Sequence, residues 1–124
     1  MKLSSKWAPE PDIIFIDSNC KHRLKENYLD APATAVFEIL SQFTRDDDLN
    51  KKLPKYLEVG IKEVWIIDPM DKRVIIYWSK ENFKIYKGKE RAESKIIPGF
   101  RLKVDWMWHI DSISVLEKYN ELFT

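Results

Sequence analysis

Three residues of this chain have the types and surroundings to do chemistry together. They are Asp12 at the mouth of the apolar run Ile13-Ile14-Phe15-Ile16, Glu38 inside the run Thr34 to Leu40, and Lys52 beyond it. Two carboxylates delivered by adjacent strands can share a hard divalent cation, because Mg²⁺ prefers oxygen ligands and keeps several waters. A nearby ammonium can orient or deprotonate the attacking water and offset charge developing on a phosphate in flight. The reaction that suits such a set is phosphodiester hydrolysis. Glu38 is the sharpest of the three, since a carboxylate between Val36 and Leu40 in a buried strand is expensive without a partner or a metal. Its plainer reading is a strand-end glutamate reaching solvent or a lysine. Asp12 follows Pro11 and has the ordinary task of starting a strand; Lys52 has that of pairing with Asp48 on a solvated helix face.

Positioning these residues takes strands and one helix. Pro9-Glu10-Pro11 imposes an extended approach, and Ile13-Ile14-Phe15-Ile16 reads as a short strand buried on both faces. Asp17 to Ala31 is polar and reads as a long loop or ragged hairpin. Thr34 to Leu40 alternates with a period of two, with Ala35, Phe37 and Ile39 on one face and Val36, Glu38 and Leu40 on the other. Thr44-Arg45-Asp46-Asp47 has the form of a capping box, and the triplet Asp46-Asp47-Asp48 suits the positive end of a helix. A helix from Asp48 to Val59 follows, with Leu49, Leu53, Tyr56 and Leu57 on one apolar stripe and Gly60 as its stop. Pro54 stands inside it, where proline costs about 3 kcal/mol unless the helix kinks or starts later.

Val64-Trp65-Ile66-Ile67 is a doubly buried strand closed by Asp68-Pro69, which makes strand, helix, strand a parallel crossover. Arg73 to Trp78 and Phe83 to Tyr86 form an antiparallel hairpin across Ser79-Lys80-Glu81-Asn82. A Pro98-Gly99 turn precedes an edge strand from Leu102 to Trp106, and an amphipathic helix at 112–123 turns Ile113, Leu116, Tyr119, Leu122 and Phe123 inward. The expected fold is mixed α/β (α+β): a polar tail at 1–10, then a single domain at 11–124 with a central mixed sheet flanked by helices.

Composition bounds what this domain can be. The 124 residues, 44% hydrophobic and 33% charged, suffice for one core, and 21 Lys+Arg against 20 Asp+Glu leave a net charge of +1. That balance excludes a strongly basic DNA-coating protein, so a nucleic-acid role must rest on local charge. The single cysteine, Cys20, excludes an internal disulfide framework and multi-cysteine zinc modules and fits a reducing, cytoplasmic setting. Cys20 and His22 lack a second pair and read as an unliganded loop thiol and imidazole. Lys21, Arg23 and Lys25 in the same loop are candidate DNA contacts. Trp65 and Trp78 read as core, Trp106 and Trp108 as a dimer surface near an edge, and the hairpin lysines as charge that guards that edge.

A series of motifs in order carries a resemblance: Pro11-Asp12-Ile13-Ile14-Phe15-Ile16; Ala31-Pro32 leading into Phe37-Glu38-Ile39-Leu40-Ser41; Thr44-Arg45, Asp48, Lys52, Tyr56 and Gly60-Ile61; Glu63-Val64-Trp65-Ile66-Ile67-Asp68-Pro69; and Pro98-Gly99-Phe100-Arg101-Leu102. Over positions 9 to 106 the chain resembles the Uma-two family of the PD-(D/E)xK superfamily. The resemblance implies a restriction-endonuclease-like fold and metal-dependent DNA cleavage. Asp12 and Glu38 then correspond to the metal-binding acids for Mg²⁺ or Mn²⁺. Leu40 stands where the superfamily places its lysine, and Lys52 matches a lysine moved to the helix, with Asp48 as its support. Family members carry a further N-terminal segment with another acid, whereas this chain begins just before Pro11-Asp12. The rival expectation is therefore a truncated, inactive nuclease-like module that works by oligomerising, as a dimer, or by binding a partner.

Overall fold

The computed structural model describes residues 12–16, 33–43 and 45–108, with backbone alone for Asp47 and Asp48. The tail at 1–10, the loop carrying Cys20, Lys21, His22, Arg23 and Lys25, and the helix at 112–123 lie outside the described residues.

The β-branched and aromatic runs become five strands: β1 (Ile13–Phe15), β2 (Ala35–Ile39), β3 (Glu63–Asp68), β4 (Arg73–Tyr77) and β5 (Phe83–Lys87). They lie in the order β1-β2-β3-β4-β5, and the only parallel pair, β2 with β3, is the one joined by helix. This is the expected mixed sheet. The period-two reading of β2 holds on both faces. Val36 and Leu40 pack with Val64, Ile66 and Ile75 on one side, and Ala35 and Phe37 with Trp65, Ile67 and Ile76 on the other. β1 corrects an expectation: it is a half-covered outer strand with Ile13 exposed, because it has a strand neighbour only at β2 among the described residues.

The helical segment resolves the difficulty at Pro54. The chain makes a short turn, α1 (Arg45–Asp47), widens into a π-helical turn over Asp48–Lys52, and restarts as α2 (Leu53–Glu58) with Lys52 as N-cap. Pro54 therefore falls in the first turn of α2, where a helix has no use for the missing N–H. Gly60 ends α2 at φ 97°, with its N–H on the Leu57 carbonyl and the Ile61 N–H on that of Tyr56. A Cβ here would meet nothing within 4 Å, so the penalty for any other residue is the left-handed backbone itself, about 1–2 kcal/mol. α2 buries Leu53 and Tyr56 against β2 and β3, and fully burying an apolar side chain of this size contributes roughly 1.5–3 kcal/mol.

The opposite face is closed by a two-stranded sheet, β6 (Arg91–Glu93) with β7 (Arg101–Lys103), and by a 3₁₀ helix at Val104–Trp108. The expected edge strand from Leu102 to Trp106 is thus only partly a strand. Trp106 is buried and Met107 and Trp108 pack against the core, which corrects their reading as a dimer surface: the 3₁₀ turn rotates them inward. Gly99 at φ 73° completes the turn that lays the Phe100 ring 5.4 Å from Trp65 and 6.1 Å from Phe37, both edge-on.

Candidate active site

Asp12 and Glu38 lie on β1's approach and on β2, two neighbouring strands of the sheet. β1 and β2 pair Ile13 with Phe37 at the last rung of their ladder, so Asp12, just ahead of β1, and Glu38, just after Phe37, lie at the same end of it. The Ile39 N–H donates to Asp12 Oδ2 at 2.7 Å, which ties the exposed aspartate to the end of β2. Glu38 itself is only 2% exposed. Its Oε1 accepts the Tyr56 hydroxyl at 2.6 Å, a bond that joins β2 to α2. Both acids stand toward the carboxyl ends of the parallel pair β2 and β3, where open α/β sheets place their ligands.

Lys52 is half-buried at the N-cap of α2, one turn ahead of Tyr56. It also lines a groove of about 470 Å³ over the π-helical turn, with Asn50, Lys51, Pro54 and Lys55. Asp48 opens that turn, but its side chain lies outside the described residues, as do Lys21, Arg23 and Lys25. Among the described residues no group of three or more His, Cys, Asp and Glu side chains converges as a metal cage. One or two carboxylates are nonetheless a donor set that suits Mg²⁺, which keeps its remaining waters.

Beside the two acids lies an ion-pair network that sequence reading missed. Asp68 ends β3 on the face that carries Glu38 and is fully buried; Arg45 Nη1 donates to it at 2.9 Å and Arg73 Nε at 3.3 Å. Arg45 also reaches Asp71 at 3.1 Å. Burial pushes the Asp68 carboxyl up, but the bond from Arg45, the N–H of Asp71, the Arg45 charge and the bond from Arg73 outweigh it and hold the carboxyl below its ordinary value. This network pins the start of the helical segment to the carboxyl end of β3, and so fixes the connection between Glu38 and Lys52. The signal for it was the sharp boundary of the apolar run at Asp68-Pro69.

A second buried acid was also missed as a distinct element. Glu63 opens β3 on the opposite face and is fully buried. Its Oε1 accepts from Trp65 Nε1 at 2.7 Å and Ser94 Oγ at 2.6 Å; its Oε2 accepts from Trp78 Nε1 at 2.8 Å and the Lys95 N–H at 2.9 Å.

Residues 1–105 match the model of the Uma2 family, described as "Putative restriction endonuclease". The chain belongs to the Uma2 family. Membership places it among nuclease-like proteins, and the match extends the motif series at 9–106 back to residue 1. No curated protein matches it. Among solved structures, a "putative nuclease belonging to DUF820" from Anabaena variabilis superposes with a TM-score of 0.64 at 20% identity, over 80% of this chain and 59% of that one. At that identity the likeness shows a shared fold, and this chain spans little more than half the length of its neighbour.

Proposed function

We propose that this Uma2-family protein is a divalent-metal-dependent DNA endonuclease whose site is built from Asp12, Glu38 and Lys52. The observation that supports this reading is that buried Glu38 accepts the hydroxyl of Tyr56, one helical turn beyond Lys52, at the end of the β1–β2 ladder that Asp12 precedes. Asp12 and Glu38 would hold Mg²⁺ or Mn²⁺, which when bound supplies positive charge to the phosphate and an acidified water. Lys52 would orient the attacking water and steady the phosphate, with Asp48 holding its ammonium in place. As the water oxygen bonds to phosphorus, the water gives up a proton; the bond to the leaving sugar oxygen breaks and that oxygen takes one up. Lys51 and Lys55 along the groove at the π-helical turn would receive the neighbouring phosphates.

Titrating Mg²⁺ and Mn²⁺ into wild type and Glu38→Gln, beside a plasmid-nicking assay, tests the proposal. Saturable binding and nicking that are both lost in Glu38→Gln support it; equal, negligible binding by both proteins with no nicking removes it. A second reading, a nuclease-like module that acts as a dimer, draws on Phe83 and Ile85, which are 46% and 40% exposed on one face of β5. A concentration-dependent sedimentation coefficient, reversed by Ile85→Lys in a chain that does not nick, would favour it.

A further inference from the structure

Tyr56 is fully buried, and its hydroxyl donates to Glu38 Oε1 at 2.6 Å. That distance is in the range of a charge-assisted O–H···O⁻ bond. Each partner is anchored on its own element. The Tyr56 ring sits among Val36, Leu40, Leu53, Val64 and Ile66, and its backbone carbonyl accepts the Ile61 N–H that closes α2. Glu38 lies within β2, opposite Ile66 of β3. The carboxylate is therefore gripped between a helix end and a central strand, and turning it about its last torsion means breaking the phenol bond.

We propose that Tyr56 is a positioning residue that fixes the Glu38 carboxylate and so makes the site select Mg²⁺ over Ca²⁺; this rests on the reading of Glu38 as a metal ligand. Mg²⁺ demands near-ideal octahedral geometry with oxygens at about 2.0–2.1 Å, whereas Ca²⁺ takes more ligands at longer distances and rewards a carboxylate free to turn and bind through both oxygens. A rigid acid favours the smaller ion, and a loosened one gives that preference away. A donor that only satisfied a buried glutamate would add stability and leave the ratio of the two affinities untouched.

The test is calorimetric titration of Mg²⁺ and of Ca²⁺ into the full 124-residue chain, as wild type, Tyr56→Phe, Glu38→Gln and the double variant. Tyr56→Phe keeps the ring and is expected to weaken Mg²⁺ about tenfold, the scale seen when an outer partner of a metal ligand is removed. Ca²⁺ affinity should change less, so that the preference narrows, and in the Glu38→Gln background the same substitution should have no effect on either ion. Both affinities and their ratio unchanged within about twofold in Tyr56→Phe, with binding abolished in Glu38→Gln, overturns the role of Tyr56 and leaves the metal site standing. Binding that survives Glu38→Gln overturns the metal site and the inference with it. If Tyr56→Phe fails to fold, Glu38→Asp serves instead: it draws the carboxylate away from the phenol while the apolar contacts of Tyr56 stay. The same narrowing is expected, and an unchanged ratio overturns the proposal.

Discussion

Glu38 and Glu63 are both buried carboxylates of the same sheet, on neighbouring strands and opposite faces, and their surroundings differ in kind. Glu63 accepts four hydrogen bonds, two on each oxygen, from the indoles of Trp65 and Trp78, the Ser94 hydroxyl and the Lys95 backbone. A carboxylate offers about four lone-pair positions, so Glu63 is saturated and has nothing to offer a cation. It ties β3 to Trp78 just past β4 and to the chain at 94–95, and it holds structure. Glu38 accepts a phenol from α2, so its bond runs to the helix packed on the sheet, and it lies at the ladder end that Asp12 precedes. Burial alone therefore does not distinguish the two acids; the groups that face them do.

The largest effect that could break this contrast is expected at Glu63. Glu63→Ala orphans two indole N–H groups, a hydroxyl and the Lys95 N–H, each costing about 1–3 kcal/mol where it is left buried and unpaired, and should lower stability by more than about 3 kcal/mol by urea denaturation. In the folded fraction, Mg²⁺ affinity should be unchanged; a specific loss of metal binding would put Glu63 in the site and end the distinction. Glu38→Gln is the converse. It should abolish metal binding yet cost no more than about 1.5 kcal/mol of metal-free stability, because the amide oxygen can still accept the Tyr56 hydroxyl.

Asp68 supplies an intermediate effect, read through pH. Its carboxyl is held below the ordinary value in the folded chain, so the unfolded state binds the proton more readily. The stability it contributes is therefore present above about pH 4, near the unfolded carboxyl's ordinary value, and is lost as pH falls through its folded value. Wild type should show a urea midpoint that drops with acid over that range, and Asp68→Asn a flatter profile; identical slopes would show that the Arg45 and Arg73 pairs contribute nothing. The smallest effect is expected at the groove. Lys55→Glu should weaken binding to any DNA sequence alike and reduce the slope of log affinity against log salt by about one, and a slope that does not change would place the DNA elsewhere.

Much of this architecture was legible in the chain. Runs such as Val64 to Ile67, β-branched and aromatic and closed by Asp68-Pro69, read as central strands, and the alternation in β2 named both faces correctly because the side-chain period of a strand is fixed. Glu38 announced itself for the same reason: it breaks the apolar side of a buried strand. Tyr56 was placed on the buried stripe, but its role was hidden, because a tyrosine there is indistinguishable from any large apolar residue until something faces its hydroxyl. The 3₁₀ helix at Val104–Trp108 was hidden as well, since an apolar run of that length carries no period that separates strand from turn. β6 gave no signal, as Arg91-Ala92-Glu93 becomes a strand only through its pairing with β7.

Local chemistry therefore decided the elements: where strands run, that Gly60 must end the helix, and that Pro54 must find a first turn. Hydrophobic period and backbone sterics act within a few residues, and a sequence displays them directly. Tertiary structure decided the pairings. That Asp12 caps the Ile39 N–H, that Tyr56 bonds one oxygen of Glu38, and that Glu63 is filled by four donors depend on contacts set by packing. Hydrogen bonds of that kind are satisfied in space, by whichever partner the packing delivers.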